Sequence, residues 1–458
     1  MAVLGISSAG TANVPASYGK ISSLVAAFGY GPLVEAAARH IELTGDAVVV
    51  VKTGKTTEGA AGAVDVTGVT GTSVVTFDGT TYPYDDYDVK VVVVTGGTRG
   101  TAGITFKISL DGGKNYSATI ALGTATSYEF PNSGVKFNFA AGTLVAGDTW
   151  TCRTTAPLYS AAQLGAAFDA LRLSTHAVEI VQVAGLLDGT SFDTVSTKRA
   201  SSYSANKEIT IIGHCRMPNS GESEATYLAA MNTIFSAKSD SAVALTSGAC
   251  YLISSVSGRN YRRPVSFVAA SLEASVSEEV NTADLNLGSL TGVSVTDANG
   301  NPDQHDETTN PGLDDARFYV LRTVQGYSGV YVNRPRLFSA EGSDFQLVPH
   351  RRVLNLAHAA LRAYFTRRLN KPVRVNAATG YILEEEALEI ESGARAVMRA
   401  ALMAKPKASG IEFTLSRTDN LLTTKTMTGQ ARVIPLAYSE FINIDLGFKN
   451  PALQTQVA

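Results

Sequence analysis

Cysteine, tryptophan and charge are all scarce in this 458-residue sequence, which has three Cys, one Trp and only 17% charged residues. The cysteines Cys152, Cys215 and Cys250 are odd in number and widely spaced, form no CxxC pair, and have only His214 nearby. That spacing excludes a disulfide framework or a zinc knuckle as the organising device, and the three are expected as reduced core residues in a cytosolic setting. No run of about 18 apolar residues occurs, and the opening MAVLGISSAGTANV carries neither a basic nor an apolar signal region. Neither a membrane-spanning helix nor secretion by that route is expected. A net charge of −3, from 38 basic and 41 acidic residues, offers no surplus for nucleic acid or an acidic membrane. With 41 glycines beside so little charge, the balance is closer to β-rich assembly proteins than to a highly charged monomer. The chain is long enough to bury cores without staples, and its length suggests about three domains.

Catalytic motifs are equally scarce. There is no GxSxG, no HExxH and no GxxxxGK[ST], and His350 and His358 stand eight apart on one helical pattern without other ligands nearby. The run VVVVTGGTRGTAG, residues 91–103, with YSANK at 203–207, mimics a short-chain dehydrogenase. That chemistry needs a helix N-terminus for the pyrophosphate directly after the glycine turn. Here Ala102 replaces the last glycine and ITFKISL alternates like a strand, so residues 95–100 are expected as a hairpin turn. SLDGGKNY, residues 109–116, fits a single Asp-box turn where a propeller needs several, and reads as a DG hairpin. DANGNPD, residues 297–303, spaces Asp and Asn like a calcium loop. Pro302 and Thr308 stand where such loops need glycine and glutamate, so a solvated turn is expected. No catalytic residue, cofactor or metal is assigned.

What the chain does contain is a change of texture. Residues 1–20 are small and polar with Gly5, Gly10, Pro15 and Gly19 breaking any helix, and predict an extended N-terminal arm carried by Val3, Leu4 and Ile6. Two short helices broken at GYGP come next, then a strand at 47–51. From residue 54 to 157 the text turns Thr, Val and Gly rich with period-2 runs such as VKVVVV, ITFKISL and VKFNF, predicting an inserted all-β sandwich exposed on the surface. Residues 21–53 together with 158–316 alternate helices and short strands and predict an α/β middle domain with a largely parallel sheet. From 317 to 458 a hairpin, a long helix from Pro349 to Asn370, a second helix from Glu384 to Lys405 and three closing strands predict a C-terminal core domain. In the long helix Val353, Leu354, Ala357, Leu361, Tyr364 and Phe365 share one face, leaving Arg351, Arg352, Arg362, Arg367 and Arg368 largely elsewhere as a basic face. The terminal run places Ile442, Ile444, Leu446 and Phe448 on one side of a strand and Phe441 on the other, suited to pairing with a neighbouring sheet.

The wording of the last third resembles the C-terminal core of contractile tail sheath proteins. The resemblance rests on Arg351 and Arg352 opening the long helix, Gly393 and Ala394 in the second, Arg417 to Asn420 at a strand end, and Pro435 before the aliphatic terminal strand. GYSGVYVNR, residues 326–334, resembles the strand that precedes that core. A PGVYVEE-like opening is missing, and the insert has no obvious counterpart, as in a divergent branch. The resemblance implies a fold of mixed α+β, multidomain type: an α/β sheath core, terminal strand arms and the inserted sandwich. It also implies a non-enzymatic subunit that forms hexameric rings, stacks helically on a tail tube and contracts to drive the tube through an envelope. Partners would be copies of itself, the tail tube protein, and baseplate and tail-terminator proteins, with no nucleic acid and no membrane insertion. The place would be the virion tail, assembled in the host cytoplasm, of a phage or a related injection system. Arg362, Arg367 and Arg368 are then the tube-facing candidates. Another self-assembling virion component, a tube, baseplate or capsid protein, is the alternative, and a dehydrogenase-like oxidoreductase a remote one.

Overall fold

The computed structural model describes residues 1–219, 221–295, 306–308, 311–440 and 444. Its centre is a six-stranded sheet in the order Val243–Thr246, Thr210–His214, Ile180–Leu186, Ala2–Gly5, Val48–Lys52 and Ala16–Tyr18. Every pair is parallel except the last. Helices α1 (Ile21–Phe28) and α2 (Pro32–Thr44) come after the first strands; α3 (Ala161–Leu173), α4 (Gly189–Ser204), α5 (Glu224–Phe235) and α6 (Ser266–Ser275) come later. Side chains of one strand alternate between two cores. Val3, Val50 and Ile212 pack with α2 and α6, while Leu4, Val51 and Val183 pack with α3, α4 and α5.

This placement overturns the N-terminal arm. Ala2–Gly5 pairs with Val181–Ala184 on one side and Val49–Lys52 on the other, so residues 2–5 form an inner strand of the subunit's own sheet. Val3 and Leu4 are 0% exposed and Ile6 is 3% exposed. The physical reason is that a parallel strand covered by helices on both faces needs an apolar run without alternation, and AVLGI supplies one. Gly5 fits where a Cβ would lie 2.9 Å from the Ala184 carbonyl oxygen.

The second correction concerns the boundary at 316/317. Phe318, Tyr319, Val320, Leu321, Val330 and Val332 are buried in the two cores of this α/β body, together with Phe338 and Val348. Tyr319 N–H donates to Leu245 O at 3.0 Å and Phe338 N–H to Val243 O at 2.7 Å, which seals the outer edge of the sheet. Residues 318–348 therefore complete the body rather than begin a new unit. The C-terminal unit consists of α7 (Val348–Thr366), α8 (Glu384–Leu402) and an antiparallel ribbon of Ala408–Leu415 with Gly429–Pro435. Two small cores lie along α7: Val353, Ala357 and Leu402 share one, while Leu361, Tyr364 and Phe365 pack on a second with Ile390, Met398 and Phe413. Gly393 lets the two helices meet, because a Cβ there would collide with the Tyr364 hydroxyl.

Residues 60–155 carry short antiparallel strands in a five-stranded and a three-stranded sheet around a core that includes Val91, Phe106, Phe137 and Trp150. The segment enters and leaves at one point, where Thr57 and Leu158 face each other and Thr56 N–H donates to Leu158 O at 2.8 Å. It lies against the body hairpin of Ala249–Ile253 and Asn260–Pro264: Tyr261 belongs to its core, and Asp111 accepts from Asn260 N–H at 3.3 Å. The glycine-rich run joins two antiparallel strands, Asp88–Thr95 and Thr105–Ser109, with no helix after it. Lys207 lies beyond the end of α4 and donates to the carbonyls of Arg172 and Ser174, so it does not share a helix face with Tyr203.

Candidate functional site

The residues singled out for assembly end up in three different environments. Arg351 and Arg352 belong to no basic face, being 5% and 3% exposed. Arg352 sits where α7 crosses the end of α6. Its Nε donates to Glu179 at 2.8 Å and its Nη1 to the Glu273 and Val276 carbonyls at 2.7 and 3.2 Å. These are carbonyls a helix leaves unpaired at its C-terminus, so the guanidinium closes α6 while fastening α7 to the body. Spacing alone placed this arginine outside because it marks periodicity, not the burial of a paired charge.

Further along α7, Arg362 and Arg367 are exposed, whereas Arg368 is half-buried. Arg368 donates to Glu389 of α8 at 2.7 Å and lies 5.1 Å from the centre of the Tyr364 ring. The hydrogen bond to Glu389 raises its already high pKa. Arg362 and Arg367 are thus exposed, Arg362 near enough to Glu208 of the body to help hold its carboxyl below the usual range, and Arg368 is tied within the C-terminal unit.

Of the expected terminal strand, Phe441, Ile442, Leu446 and Phe448 lie outside the described residues, and Ile444 is 79% exposed. The calcium-like turn at 297–303 lies outside them as well. The segment leading to that strand is held on the body. The Tyr438 ring stacks on His350 at 5.3 Å between centres, its hydroxyl donates to Glu279 O at 2.6 Å, and Arg334 pairs with Glu440 at 3.0 Å. Burial lowers the pKa of His350, which keeps the stacked ring neutral.

Sequence reasoning missed the surface beside it. The ribbon strand Gly429–Pro435 is exposed over most of its length, with Ile434 53% exposed, and pairs on one side only among the described residues. The opposite edge of the ribbon is partly satisfied by side chains: Arg395 donates to Phe413 O at 2.8 Å, and Glu391 accepts from Leu415 N–H at 2.8 Å. Arg417 bonds Glu384 and Glu391 there, which holds the carboxyl groups of both below the usual range. Among the described residues, the outer edge of Gly429–Pro435 therefore has no strand partner and leaves backbone groups open to pairing. The signal in sequence was GQARVIP itself, a polar, half-apolar strand.

Residues 1–336 match the DUF2586 family over its N-terminal domain. The fold is similar to that of the anti-feeding prophage helical sheath in its contracted state, at 10% identity over 98% of this chain and 92% of that one, with a TM-score of 0.51. The sheath tail protein of Listeria innocua is similar at 12% identity over 95% of each chain, with a TM-score of 0.48. That of Desulfitobacterium hafniense is similar at 10% identity over 95% of this chain and 96% of that one, with a TM-score of 0.48. No curated protein matches in sequence. The first likeness establishes a shared fold along nearly the whole chain, C-terminal unit included.

Proposed function

The chain belongs to the DUF2586 family, and we propose that it is the repeating, non-catalytic subunit of a contractile sheath. In this reading it forms hexameric rings that stack around a tail tube and shorten to drive that tube through an envelope, with baseplate and terminator proteins at the two ends. The setting is the tail of a virion or of a related injection device. The observation that carries the reading is the fold shared with a helical sheath over 98% of the chain. The open edge of Gly429–Pro435 supports it from the chain's own chemistry, because it offers a ladder for a neighbour's strand. The strand supplied is the terminal run carrying Phe441, Ile442, Ile444, Leu446 and Phe448, leaving the body at the Tyr438 clasp. Each backbone bond across such a joint contributes about 0.5–1.5 kcal/mol, so one joint is weak and a lattice of them is strong. Arg362 and Arg367 are the exposed cations available to an acidic tube.

Truncation after Glu440 tests the mechanism. The shortened chain is expected to keep the far-UV circular dichroism of the full chain and, by electron microscopy, to form no long ridged cylinders. Cylinders of normal length from the truncated chain would refute the strand exchange; smooth narrow tubes or only discrete particles from the full chain would refute the sheath reading.

A further inference from the structure

A cavity of about 560 Å³ lies between the insert and the body, at the carboxyl ends of Ala2–Gly5, Ile180–Leu186 and Thr210–His214. Its place in the topology is specific. From Ala2–Gly5 the chain passes first to the two strands on one side, Ala16–Tyr18 and Val48–Lys52, and later to the strand on the other, Ile180–Leu186. The direction of winding therefore reverses between Ala2–Gly5 and Ile180–Leu186. At such a reversal the connections diverge to opposite faces and leave a crevice at the strand ends, the usual ligand position in open α/β sheets. Here the insert roofs that crevice with Ala61, Asp86 and Pro157, making an interdomain cleft of a size usual for small-molecule sites.

The lining sets the chemistry. Most charges around the cleft are engaged within the protein: Arg263 grips buried Asp85 at 2.7 and 2.8 Å, Arg153 pairs with Asp88 at 2.8 Å, Arg216 with Glu222 at 2.6 Å, and Arg262 donates to Pro218 O at 3.3 Å. Asp86 accepts from Ala156 N–H at 2.7 Å, and burial beside Asp85 pushes its carboxyl up to about 6, toward the neutral form. Apolar groups, among them Ile6, Ala184 and Phe267, supply most of the remaining wall. One buried polar group is left with capacity. His214, the last residue of its strand and 7% exposed, has Nδ1 2.9 Å from Ser266 Oγ, and its other ring nitrogen has no partner among the described residues. Burial holds this imidazole down at about 3, so it offers the cleft a neutral hydrogen-bonding nitrogen.

We propose that this cleft is a binding site for an uncharged, mainly apolar small molecule that carries one hydrogen-bonding group directed at His214. The proposal stands independently of the sheath reading, since it concerns the body and insert of a single subunit. The probe is prodan, a flat neutral naphthalene bearing one ketone, titrated by fluorescence into the full-length chain, with the anionic anilinonaphthalene sulfonate as comparator. Saturable one-to-one binding of prodan with a blue-shifted emission is expected, and weaker binding of the sulfonate. Ala61→Trp, on a short strand of the insert, fills the cleft from its rim and should abolish saturable binding. His214→Phe should weaken binding roughly fivefold, the factor of one neutral hydrogen bond. Circular dichroism checks both variants, and Ala61→Trp decides the matter if His214→Phe does not fold. Absence of saturable binding, equal binding by Ala61→Trp, or tighter binding of the sulfonate than of prodan would overturn the proposal.

Discussion

The α/β body and the C-terminal unit use the same elements and close them in opposite ways. In the body every strand of the central sheet is backed by helices, and the Val243–Thr246 edge is sealed by Tyr319 and Phe338. In the C-terminal unit a two-stranded ribbon leans on α8 around a far smaller core, with one edge open among the described residues. A two-stranded ribbon is marginal alone, whereas a six-stranded sheet with both faces covered is self-sufficient. The difference teaches which part of the chain closes on itself and which leaves an edge open among the described residues. Substitutions in the two regions should therefore behave differently, and the largest contrast is between Leu4 and Ile434. Leu4→Ala, at 0% exposure in the sheet, should lose about 2–5 kcal/mol in urea unfolding, and deletion of residues 1–6 should yield no folded protein. Ile434→Ala, at 53% exposure, should stay within about 0.5 kcal/mol. Folded, soluble protein from the deletion would restore the arm that the structure replaces.

The same contrast explains what was legible in the sequence. The exposed-face periodicity of α7 and α8 and the alternation of Val89, Val91 and Val93 in the insert announce helices and strands, because one face meets water. The strand Ala2–Gly5 has no wet face, so its pattern is only a short apolar run after Met1, and nearby glycines outweighed it. Helix α4, GTSFDTVSTKRASSYS, is hard to see in sequence for a related reason. It is rich in Ser and Thr, poor helix formers, and buries only Ser191, Phe192, Val195 and Ser202; the Asp188 side chain, accepting from Ser191 N–H at 2.7 Å, caps its start. The exposure of Arg362 and Arg367 was legible because they fall off the apolar face of a periodic helix. Arg352 was not, because burial of a cation depends on partners 173 and 79 residues away, Glu179 and Glu273.

Arg352 is also the next way to sharpen the comparison, as the fastening between the two regions. Arg352→Met would leave Glu179 and the end of α6 without their donor. Loss of a buried charged partner costs about 3–5 kcal/mol, and the lower end applies here because Glu179 is 37% exposed. Arg395→Met in the C-terminal unit, whose partner Glu391 keeps Arg417, should cost at most about 1 kcal/mol. Thermal unfolding should show separate transitions for body and C-terminal unit in Arg352→Met and a single one in Arg395→Met.

Two buried glutamates carry the contrast into pH. Burial pushes the Glu273 carboxyl in α6 up to about 7, against hydrogen bonds from Thr282 and Tyr319. The folded body therefore holds its proton where the unfolded chain releases it. Stability from this group is full below the usual carboxylate range and is lost as pH rises toward about 7. Glu391 in α8 has the opposite sign: hydrogen bonding to Arg417 holds its pKa below the usual value, so its contribution is present at neutral pH and is lost on acidification through that lowered value. Glu273→Gln should raise stability at pH 8 relative to pH 5 by about 1–3 kcal/mol, and Glu391→Gln should remove part of the acid-side loss. Denaturant titrations from pH 8 down through and below the usual carboxylate range check both, and parallel pH profiles for the two variants would contradict the assignment.

The smallest effect on folding, and the one most informative about partners, belongs to the exposed arginines of α7 and the turn after it. Arg367 is exposed without an internal ion pair among the described residues, so glutamate there should change stability by no more than about 0.5 kcal/mol, while glutamate at exposed Arg362, near Glu208, should cost up to about 1 kcal/mol. Arg368 is tied to Glu389. Arg368→Glu would place like charges side by side and should cost up to about 1 kcal/mol. A stability change therefore reads the internal tie, and any change in assembly at Arg362 and Arg367 reads a surface beyond the subunit. If that surface is an acidic tube, the double reversal Arg362→Glu with Arg367→Glu should reduce co-sedimentation with tubes at low salt. The deficit should narrow as salt rises, because exposed charges are screened beyond roughly 8–10 Å at physiological ionic strength. Undiminished binding with no salt dependence would show that this end of α7 does not face the tube.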